Sequence, residues 1–158
     1  MLRPATPADA PRLTAIVRAA YGPYVERLGR PRPMLDDYAE VIARDQVIVA
    51  TRDGELVGLV VLQVGDEGFV VDNIAVDPAH QGTGVGRALL ERAEAEARRS
   101  GFDSIALYTH ELMTENLALY TRIGYVEYDR RPIADGSSLV YLRKPLDGPA
   151  LAADDEGD

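Results

Sequence analysis

The amino-acid sequence predicts an α/β fold of the α+β type, with a mixed, mainly antiparallel sheet of about six or seven strands flanked by about four helices. Apolar, β-branched segments at residues 47–51, 56–64 and 69–76 follow one another with turn residues between them, which indicates an antiparallel meander. Segments of helical periodicity lie before and after these strands. A strand, a glycine-rich loop, a helix and another strand then follow in compact order, which predicts a right-handed crossover and one parallel pair.

The first part of the chain is predicted to form a short strand at residues 1–3 and a helix that starts at Thr6 and ends near residue 21. Threonine is a favourable N-cap, and the proline that follows it suits the first helical position. A second, short helix is expected over residues 36–43, with Asp36 or Asp37 as its cap.

The least regular segment is formed by residues 21–38, where Pro31 and Pro33 forbid a continuous helix. Two interpretations stay open for this segment. It is either a substrate-binding loop or a packed connection with solvated charges. The candidate substrate contacts are Tyr21, Tyr24, Arg27 and Met34.

The three strands of the meander are separated by recognisable turns. Asp53-Gly54 is a two-residue hairpin signal, and Gly58 in the second strand indicates a bulge. After the glycine-rich loop, an amphipathic helix carries apolar residues on one face, and its charged residues, including Glu94, are expected outside that face. Gly101 ends this helix.

The last elements are predicted to be a strand at residues 104–108, a helix capped by Thr114, and two strands at about residues 126–130 and 139–143. Gly124 ends the helix. Its candidate packing positions are Leu117, Leu119, Tyr120 and Ile123.

Composition limits the classes of function. The chain has 158 residues, a net charge of -9 and no cysteine, which excludes disulfides, thiolate catalysis and cysteine-based zinc sites. Two histidines are too few for a histidine-rich metal site, and the acidic balance argues against nucleic-acid or anionic-membrane partners while being compatible with amine substrates. A single cytoplasmic domain over residues 1–146, without a metal, is expected, followed by an acidic, disordered tail at residues 147–158.

The glycine-rich loop has the sequence Gln81-Gly82-Thr83-Gly84-Val85-Gly86 and joins a strand to a helix. Glycines let the backbone approach a ligand closely, and the N–H groups of a first helical turn favour negative charge. The loop lacks the lysine of a Walker loop, and the third glycine position of a dinucleotide fingerprint falls on Arg87. The loop indicates a phosphate-bearing ligand, with a plain helix entry made of small residues as the alternative.

Two motifs and the order of the predicted elements give the chain a family resemblance. The loop fits the pattern Gln/Arg-x-x-Gly-x-Gly/Ala, and residues 73–78 fit the approach that usually precedes it. Asn116 and Tyr120 fit an Asn-x-x-x-Tyr helix that exits through Gly124-Tyr125. Over nearly all of residues 1–146, the sequence therefore resembles the GNAT superfamily of acetyl-coenzyme-A-dependent N-acetyltransferases.

The resemblance implies that acetyl-CoA is the co-substrate. In the family the cofactor lies between the strands that correspond to residues 69–76 and 104–108, which splay apart. The implied contacts are the end of the first strand, the loop that holds the pyrophosphate, and the later helix. These residues are Ile74, Ala75, Val76, Gln81, Gly82, Thr83, Gly84, Val85, Gly86, Arg87, Asn116 and Tyr120.

The resemblance also implies transfer of an acetyl group to a primary amine of a small molecule or peptide, by direct attack in a ternary complex. Tyr120 takes the position of the family's general acid; the alternative is a core aromatic. Asp72 is the candidate general base or else a structural carboxylate, and His110 or a water chain is the other candidate base. A non-catalytic acyl-CoA-binding sensor is the alternative function. Members of the family are often dimers, which leaves a homodimer open.

Overall fold

A computed structural model describes residues 1–146 of the protein; the predicted tail at residues 147–158 lies outside the described residues. The strands are β1 (Leu2–Pro4), β2 (Gln46–Arg52), β3 (Glu55–Gly65), β4 (Gly68–Val76), β5 (Ser104–His110), β6 (Val126–Pro132) and β7 (Ser138–Pro145). The α-helices are α1 (Ala10–Tyr21), α2 (Val25–Leu28), α3 (Tyr38–Arg44), α4 (Val85–Arg99) and α5 (Thr114–Arg122), of which α2 is a single turn.

Across residues 1–146, the strands form a seven-stranded mixed sheet in the order β1-β2-β3-β4-β5-β7-β6. Strands β4 and β5 pair in parallel, with Val70 opposite Ala106 and Val71 opposite Leu107. Strand β2 pairs antiparallel with β1 and β3, and β7 pairs antiparallel with β5 and β6. The predicted fold class, a mainly antiparallel sheet with one parallel pair and about four substantial helices, is confirmed.

The chain divides into two compact units. The first unit contains Met1–Gln63 and Asp72–Ala93, and the second contains Val64–Val71 and, among the described residues, 94–146. In the first unit, apolar residues of α1, α3, β2 and β3 form a buried core in which Leu13, Ile16 and Val17 are fully covered. Burial of each such side chain contributes about 1.5–3 kcal/mol. The prediction of a single domain stays a prediction.

The start of α1 follows from a reciprocal cap. The carboxylate of Asp9 accepts a hydrogen bond from the backbone N–H of Thr6 at 2.8 Å and pairs with the Arg3 guanidinium at 2.8 Å. Thr6 is the N-cap of a short 3-10 turn at Pro7–Asp9, and the α-helix begins later than predicted, at Ala10. Helix α3 begins at Tyr38 rather than at residue 36, because its N-cap is Asp37, whose side chain accepts from the N–H of Ala39.

The hairpin between β2 and β3 turns at Asp53 and Gly54, both of which have positive φ (53° and 81°), as expected for the predicted two-residue turn. The register shifts between Ala50 and Thr51, which leaves Val57 as the extra residue beside Gly58. A Cβ on Gly58 would lie 3.1 Å from the Ala75 carbonyl oxygen, tighter than most real contacts. Gly58 therefore allows close packing against the backbone at Ala75, and the bulge lies at Val57.

Two sequence predictions about helix faces in the second unit are wrong. Glu94 of α4 is buried, with 7% of its surface exposed, because a lysine and a tyrosine hydroxyl from distant parts of the chain bind its carboxylate. Leu119 of α5 is 39% exposed, whereas Tyr120 is buried. Helix α5 also begins at Thr114 itself, with Met113 as its N-cap.

Helix α4 ends at Arg99, and Gly101, with a φ of 88°, terminates it as predicted. The N–H of Phe102 donates to the carbonyl of Ala97 and that of Gly101 to Arg98, the arrangement of a Schellman cap. Within residues 1–146, none of the helices combines the length and the apolar character needed to cross a membrane.

Candidate active site

The approach to the glycine-rich loop is anchored at Asp77, directly after β4. One carboxylate oxygen of Asp77 accepts from the N–H of Ala79 at 3.1 Å, and the other binds Arg12 of α1 at 2.8 Å. The backbone hydrogen bond is the main reason that the pKa of Asp77 lies below its usual range, and the Arg12 guanidinium adds to the effect. The N–H of Asp77 donates to the Val57 carbonyl, so the end of β4 is held in place from three sides.

The loop itself adopts a conformation that requires glycine. Gly82 and Gly84 have φ angles of 77° and 91°, a region that residues with a Cβ rarely adopt. A Cβ at either position would meet nothing within 4 Å, so backbone conformation and not crowding imposes glycine there. The Gln81 side chain donates to the Val76 carbonyl at 3.1 Å and closes the loop onto β4.

The loop ends at the first turn of α4, which begins at Val85. The Gly84 carbonyl accepts the N–H of Ala88 at 3.0 Å, so Gly84 is the residue that opens the helix. The N–H groups of residues 85–87 precede Ala88, whose N–H is the first to be bonded within the helix, and they point out of the helix end. Residues 81–84 are exposed, and so is Arg87, whose guanidinium lies near Glu91 at 3.4 Å. An anion is therefore favoured at this helix end by free N–H donors, by the helix dipole and by Arg87.

Strand β4 alternates in burial as it approaches the loop: Asn73 and Ala75 are buried, whereas Ile74 and Val76 are partly exposed. A Cβ at Gly86 would lie 3.6 Å from the Val76 side chain, which is an ordinary contact, and its φ is not positive. Packing within the described chain thus does not require a glycine at position 86.

A buried hydrogen-bond network on β4, which the sequence analysis did not identify, centres on Asn73. Its side-chain oxygen accepts from the hydroxyl of Tyr21 at 3.0 Å, and its nitrogen donates to the hydroxyl of Tyr38 at 3.1 Å. Tyr38 in turn donates to the carbonyl of Pro33 at 2.7 Å. Burial raises the pKa of Tyr21 to about 12 and also raises the pKa of Tyr38. Both tyrosines therefore keep their protons at neutral pH. The side chain of Asn73 thus connects β4 to both ends of the irregular segment at residues 21–38.

The candidate base Asp72 precedes Asn73 and is engaged in an ion pair. Arg32 donates to one carboxylate oxygen of Asp72 at 2.9 Å and also pairs with Asp36. The Asp72 side chain is only 10% exposed, and that of Arg32 is 46% exposed. Proton transfer to that oxygen requires Arg32 to move or a water to intervene. The sequence carries Arg32 within an arginine- and proline-rich run, but nothing local marks its partner 40 residues away.

The four predicted substrate contacts separate in the structure. Tyr21 joins the Asn73 network. Arg27 lies over the ring of Tyr24, 5.2 Å from its centroid, so these two side chains contact each other. Met34 is partly buried and packs against the apolar core of the first unit. Of the two interpretations of residues 21–38, Met34 fits the packed connection, and Tyr21 lies beside the candidate site on β4.

The second unit holds the other predicted site residues. Asn116 and Tyr120 are four residues apart on α5 and therefore share a helix face. Asn116 is partly buried, and Tyr120 is 6% exposed. The ring of Tyr120 meets that of Tyr125 edge-on, with centroids 6.0 Å apart and an angle of 63° between the planes.

His110, the alternative base, uses both ring nitrogens in contacts at the end of β5. The N–H of Leu112 donates to Nδ1 at 3.1 Å, and the hydroxyl of Ser137 lies 2.9 Å from Nε2. Because Nδ1 accepts, the neutral ring carries its proton on Nε2 and donates it to Ser137. The lone pair that a base would use is taken by a backbone N–H. The geometry therefore favours a structural histidine.

Comparisons with known proteins match this fold and loop. A family model described as an acetyltransferase (GNAT) domain matches residues 43–127. An IAA acetyltransferase of Azospirillum brasilense is 36% identical over 105 residues, covering 63% of this chain and 67% of that protein. A [ribosomal protein bS18]-alanine N-acetyltransferase of Escherichia coli is 33% identical over 90 residues, covering 54% of this chain and 61% of the relative.

Among solved structures, a GCN5-related N-acetyltransferase from Rhodopseudomonas palustris superimposes with a TM-score of 0.76 at 23% identity, over 92% of this chain and 95% of the other. That likeness shows the fold. The family model matches more than half of the chain, so the chain belongs to the GNAT family of acetyltransferases, whose acetyl donor is acetyl-CoA. The protein is by class an N-acetyltransferase.

Proposed function

We propose that the protein transfers the acetyl group of acetyl-CoA to a primary amine of a small molecule or peptide, by direct attack in a ternary complex. The observation that carries this proposal is the exposed loop at the start of α4. Gly82 and Gly84 hold it in a glycine-only conformation, and the first helical turn presents its free N–H groups beside Arg87. This arrangement suits the pyrophosphate of coenzyme A.

Different parts of the donor are bound by different residues. Residues 81–87 bind the pyrophosphate through backbone N–H groups and Arg87. Residues 74–76 offer backbone groups to the amide chain of pantetheine, as a splayed strand pair would allow. Asn116 bonds the same part of the cofactor. The partial exposure of Ile74 and Val76, and a glycine at 86 that packing does not require, support these roles.

In the proposed reaction the nitrogen of a neutral amine attacks the thioester carbonyl, a C–N bond forms and the C–S bond breaks. Negative charge develops on the carbonyl oxygen, where a backbone N–H near the end of β4 stabilises it. Tyr120 gives its hydroxyl proton to the leaving thiolate. An ordinary phenol has a pKa of about 10, and the thiol formed from the thiolate has a pKa near 8.5. Proton transfer from the phenol to the thiolate is therefore uphill, and it requires the two groups to be held close together in a bound complex. The contact of the Tyr120 ring with the ring of Tyr125 supports a fixed position for this proton donor.

The proton of the attacking amine goes to Asp72, directly or through a water. Arg32 occupies one oxygen of this carboxylate, which favours the path through water. His110 is a weaker candidate because a backbone N–H occupies its Nδ1. We further propose that the acceptor is a cationic amine in solution, in keeping with the net charge of -9, and that the reaction takes place in the cytoplasm.

The ion pair between Arg32 and Asp72 also favours a second candidate function, a sensor that binds acyl-CoA without turnover. One experiment separates the two. The protein is incubated with acetyl-CoA and a panel of small primary amines and of peptides with free N-termini, and both thiol release and acetylated product are measured. Amine-dependent thiol release with an equal amount of acetylated amine supports the enzyme. Protection against heat by acetyl-CoA with no product from any amine supports the sensor.

A further inference from the structure

A charged group in the second unit, centred on the buried Glu94, is connected to the proposed general acid through Tyr125. Both oxygens of Glu94 are 3.2 Å from Nζ of Lys144, the only lysine of the chain, and the hydroxyl of Tyr125 donates to Glu94 at 3.1 Å. Glu94 is 7% exposed and Tyr125 is fully buried. The Glu94 carboxylate is taken out of water at a cost, whereas the Lys144 side chain stays 27% exposed, and apolar replacements of such pairs are often neutral or stabilising. Stability alone is therefore weak grounds for this group.

The same tyrosine defines the surroundings of Tyr120. Helix α5 ends at Arg122, and Gly124, with a φ of 110°, turns the chain sharply after it. The N–H of Tyr125 then donates to the Tyr120 carbonyl at 2.9 Å. Tyr125 is thus fixed at both ends, by its backbone to Tyr120 and by its hydroxyl to Glu94. Its ring presents an edge-on contact to the Tyr120 ring. A phenylalanine would keep the ring contact but lose the anchor at the far end.

The two neighbouring tyrosines are chemically distinct. Burial, followed by the charge and the hydrogen bond of Glu94, raises the pKa of Tyr125 far above its usual range. The hydroxyl proton of Tyr125 is committed to Glu94, so this residue does not compete as a proton donor. Its contribution to a reaction would be the orientation of its neighbour.

We infer that Glu94 and Tyr125 are positioning residues that hold the ring of Tyr120 in the orientation for proton transfer to the departing thiolate. This inference rests on the proposed function, in which Tyr120 is the general acid. Glu94 fixes the hydroxyl of Tyr125, Lys144 balances the charge of Glu94, and the ring of Tyr125 limits the rotation of Tyr120. A loosened Tyr125 lets Tyr120 sample unproductive orientations, which lowers kcat and leaves acetyl-CoA binding unchanged.

A double-mutant cycle tests the inference with Tyr125→Phe, Tyr120→Phe and both together. Tyr125→Phe is expected to lower kcat about threefold to tenfold and to change KM for acetyl-CoA by less than about twofold. In the Tyr120→Phe background the second substitution is expected to have no further effect on kcat, because it acts through the removed hydroxyl. Tyr128→Phe is the matched control. It removes the hydroxyl of a tyrosine on β6 that binds Glu67, between β3 and β4, and it should leave kcat unchanged.

Unchanged kcat in Tyr125→Phe, or losses that multiply fully in the double variant, would overturn the inference while leaving the role of Tyr120 intact. Full activity of Tyr120→Phe would instead overturn the proposed general acid, and the positioning role with it. Should Tyr125→Phe not fold, it is combined with Glu94→Leu and Lys144→Met, which remove the charges together with the hydroxyl they bind. The same cycle is then measured in that background.

Discussion

Replacement of Gly84 by aspartate is expected to disrupt donor binding, and its effect separates into two parts. The φ of 91° is unfavourable for any residue with a Cβ, by about 1–3 kcal/mol, and this part acts on the loop conformation. The second part is electrostatic. A carboxylate about 5 Å from a phosphate charge, in a medium of effective dielectric constant about 20–80, is repelled by about 1–3 kcal/mol. That repulsion alone lowers the affinity for acetyl-CoA about 5-fold to 150-fold.

Two control variants separate these parts. Gly84→Ala carries the conformational strain without the charge. Gly136→Asp places the same side chain at another exposed glycine with a positive φ, 88°, and open space around it, in the turn between β6 and β7. The Kd for acetyl-CoA is measured by calorimetry for the wild type and the three variants at two salt concentrations. The electrostatic part should shrink at high salt, because ions screen exposed charges.

The expected order of acetyl-CoA affinity is wild type and Gly136→Asp together, then Gly84→Ala, then Gly84→Asp. A Gly84→Asp protein that binds acetyl-CoA within about twofold of the wild type would show that the loop does not hold the phosphates. Equal losses for Gly84→Ala and Gly84→Asp would assign the whole effect to loop conformation.

Three further outcomes are expected. Tyr120→Phe should lower kcat more than about tenfold with little change in acetyl-CoA affinity, and steady-state kinetics with direct binding would reveal an unaltered kcat if the assigned role is wrong. Asn73→Ala should lower the free energy of unfolding by about 1–3 kcal/mol, because the buried hydroxyl of Tyr38 loses the N–H group that donates to it. Denaturant unfolding measures the difference, and an unchanged midpoint would contradict this expectation. The Arg3 guanidinium lowers the pKa of Asp9 to about 2, so the carboxylate stabilises the fold above its unfolded pKa of 3.8. The stability difference between wild type and Asp9→Asn should therefore be full at neutral pH and vanish as the pH falls from about 4 to 2, in thermal unfolding at a series of pH values.

Local patterns were sufficient for most of the fold. Strands β2, β3 and β4 follow from β-branched apolar runs, and their hairpin follows from Asp53-Gly54, because both signals act between neighbours in sequence. The entry into α4 follows from its glycines for the same reason. Boundaries were less accurate: α3 begins two residues later than predicted, since either of two adjacent aspartates could cap it and the choice depends on tertiary packing.

The side-chain contacts of the candidate site could not be predicted in this way. Glu94 occupies a position where a charge usually faces water, and its partners lie 31 and 50 residues further along the chain. Arg32 and Asp72 are 40 residues apart, and nothing near either residue marks the other. A single sequence contains periodicity and spacing but not pairing between distant side chains, so buried ion pairs of this kind appear only in the structure.

Strand β4 divides its backbone and side chains between two tasks, and this division bears on what the protein acetylates. The side chains of Asp72 and Asn73 are bound to residues 21–38, whereas the loop after β4 offers backbone N–H groups. Backbone recognition tolerates changes of side chain, so donor binding can stay the same while residues 21–38 vary. The family match covers residues 43–127 and leaves that segment out, and the two relatives are named for different acceptors. Exchanging residues 21–38 is therefore the change expected to alter the acceptor without altering the donor.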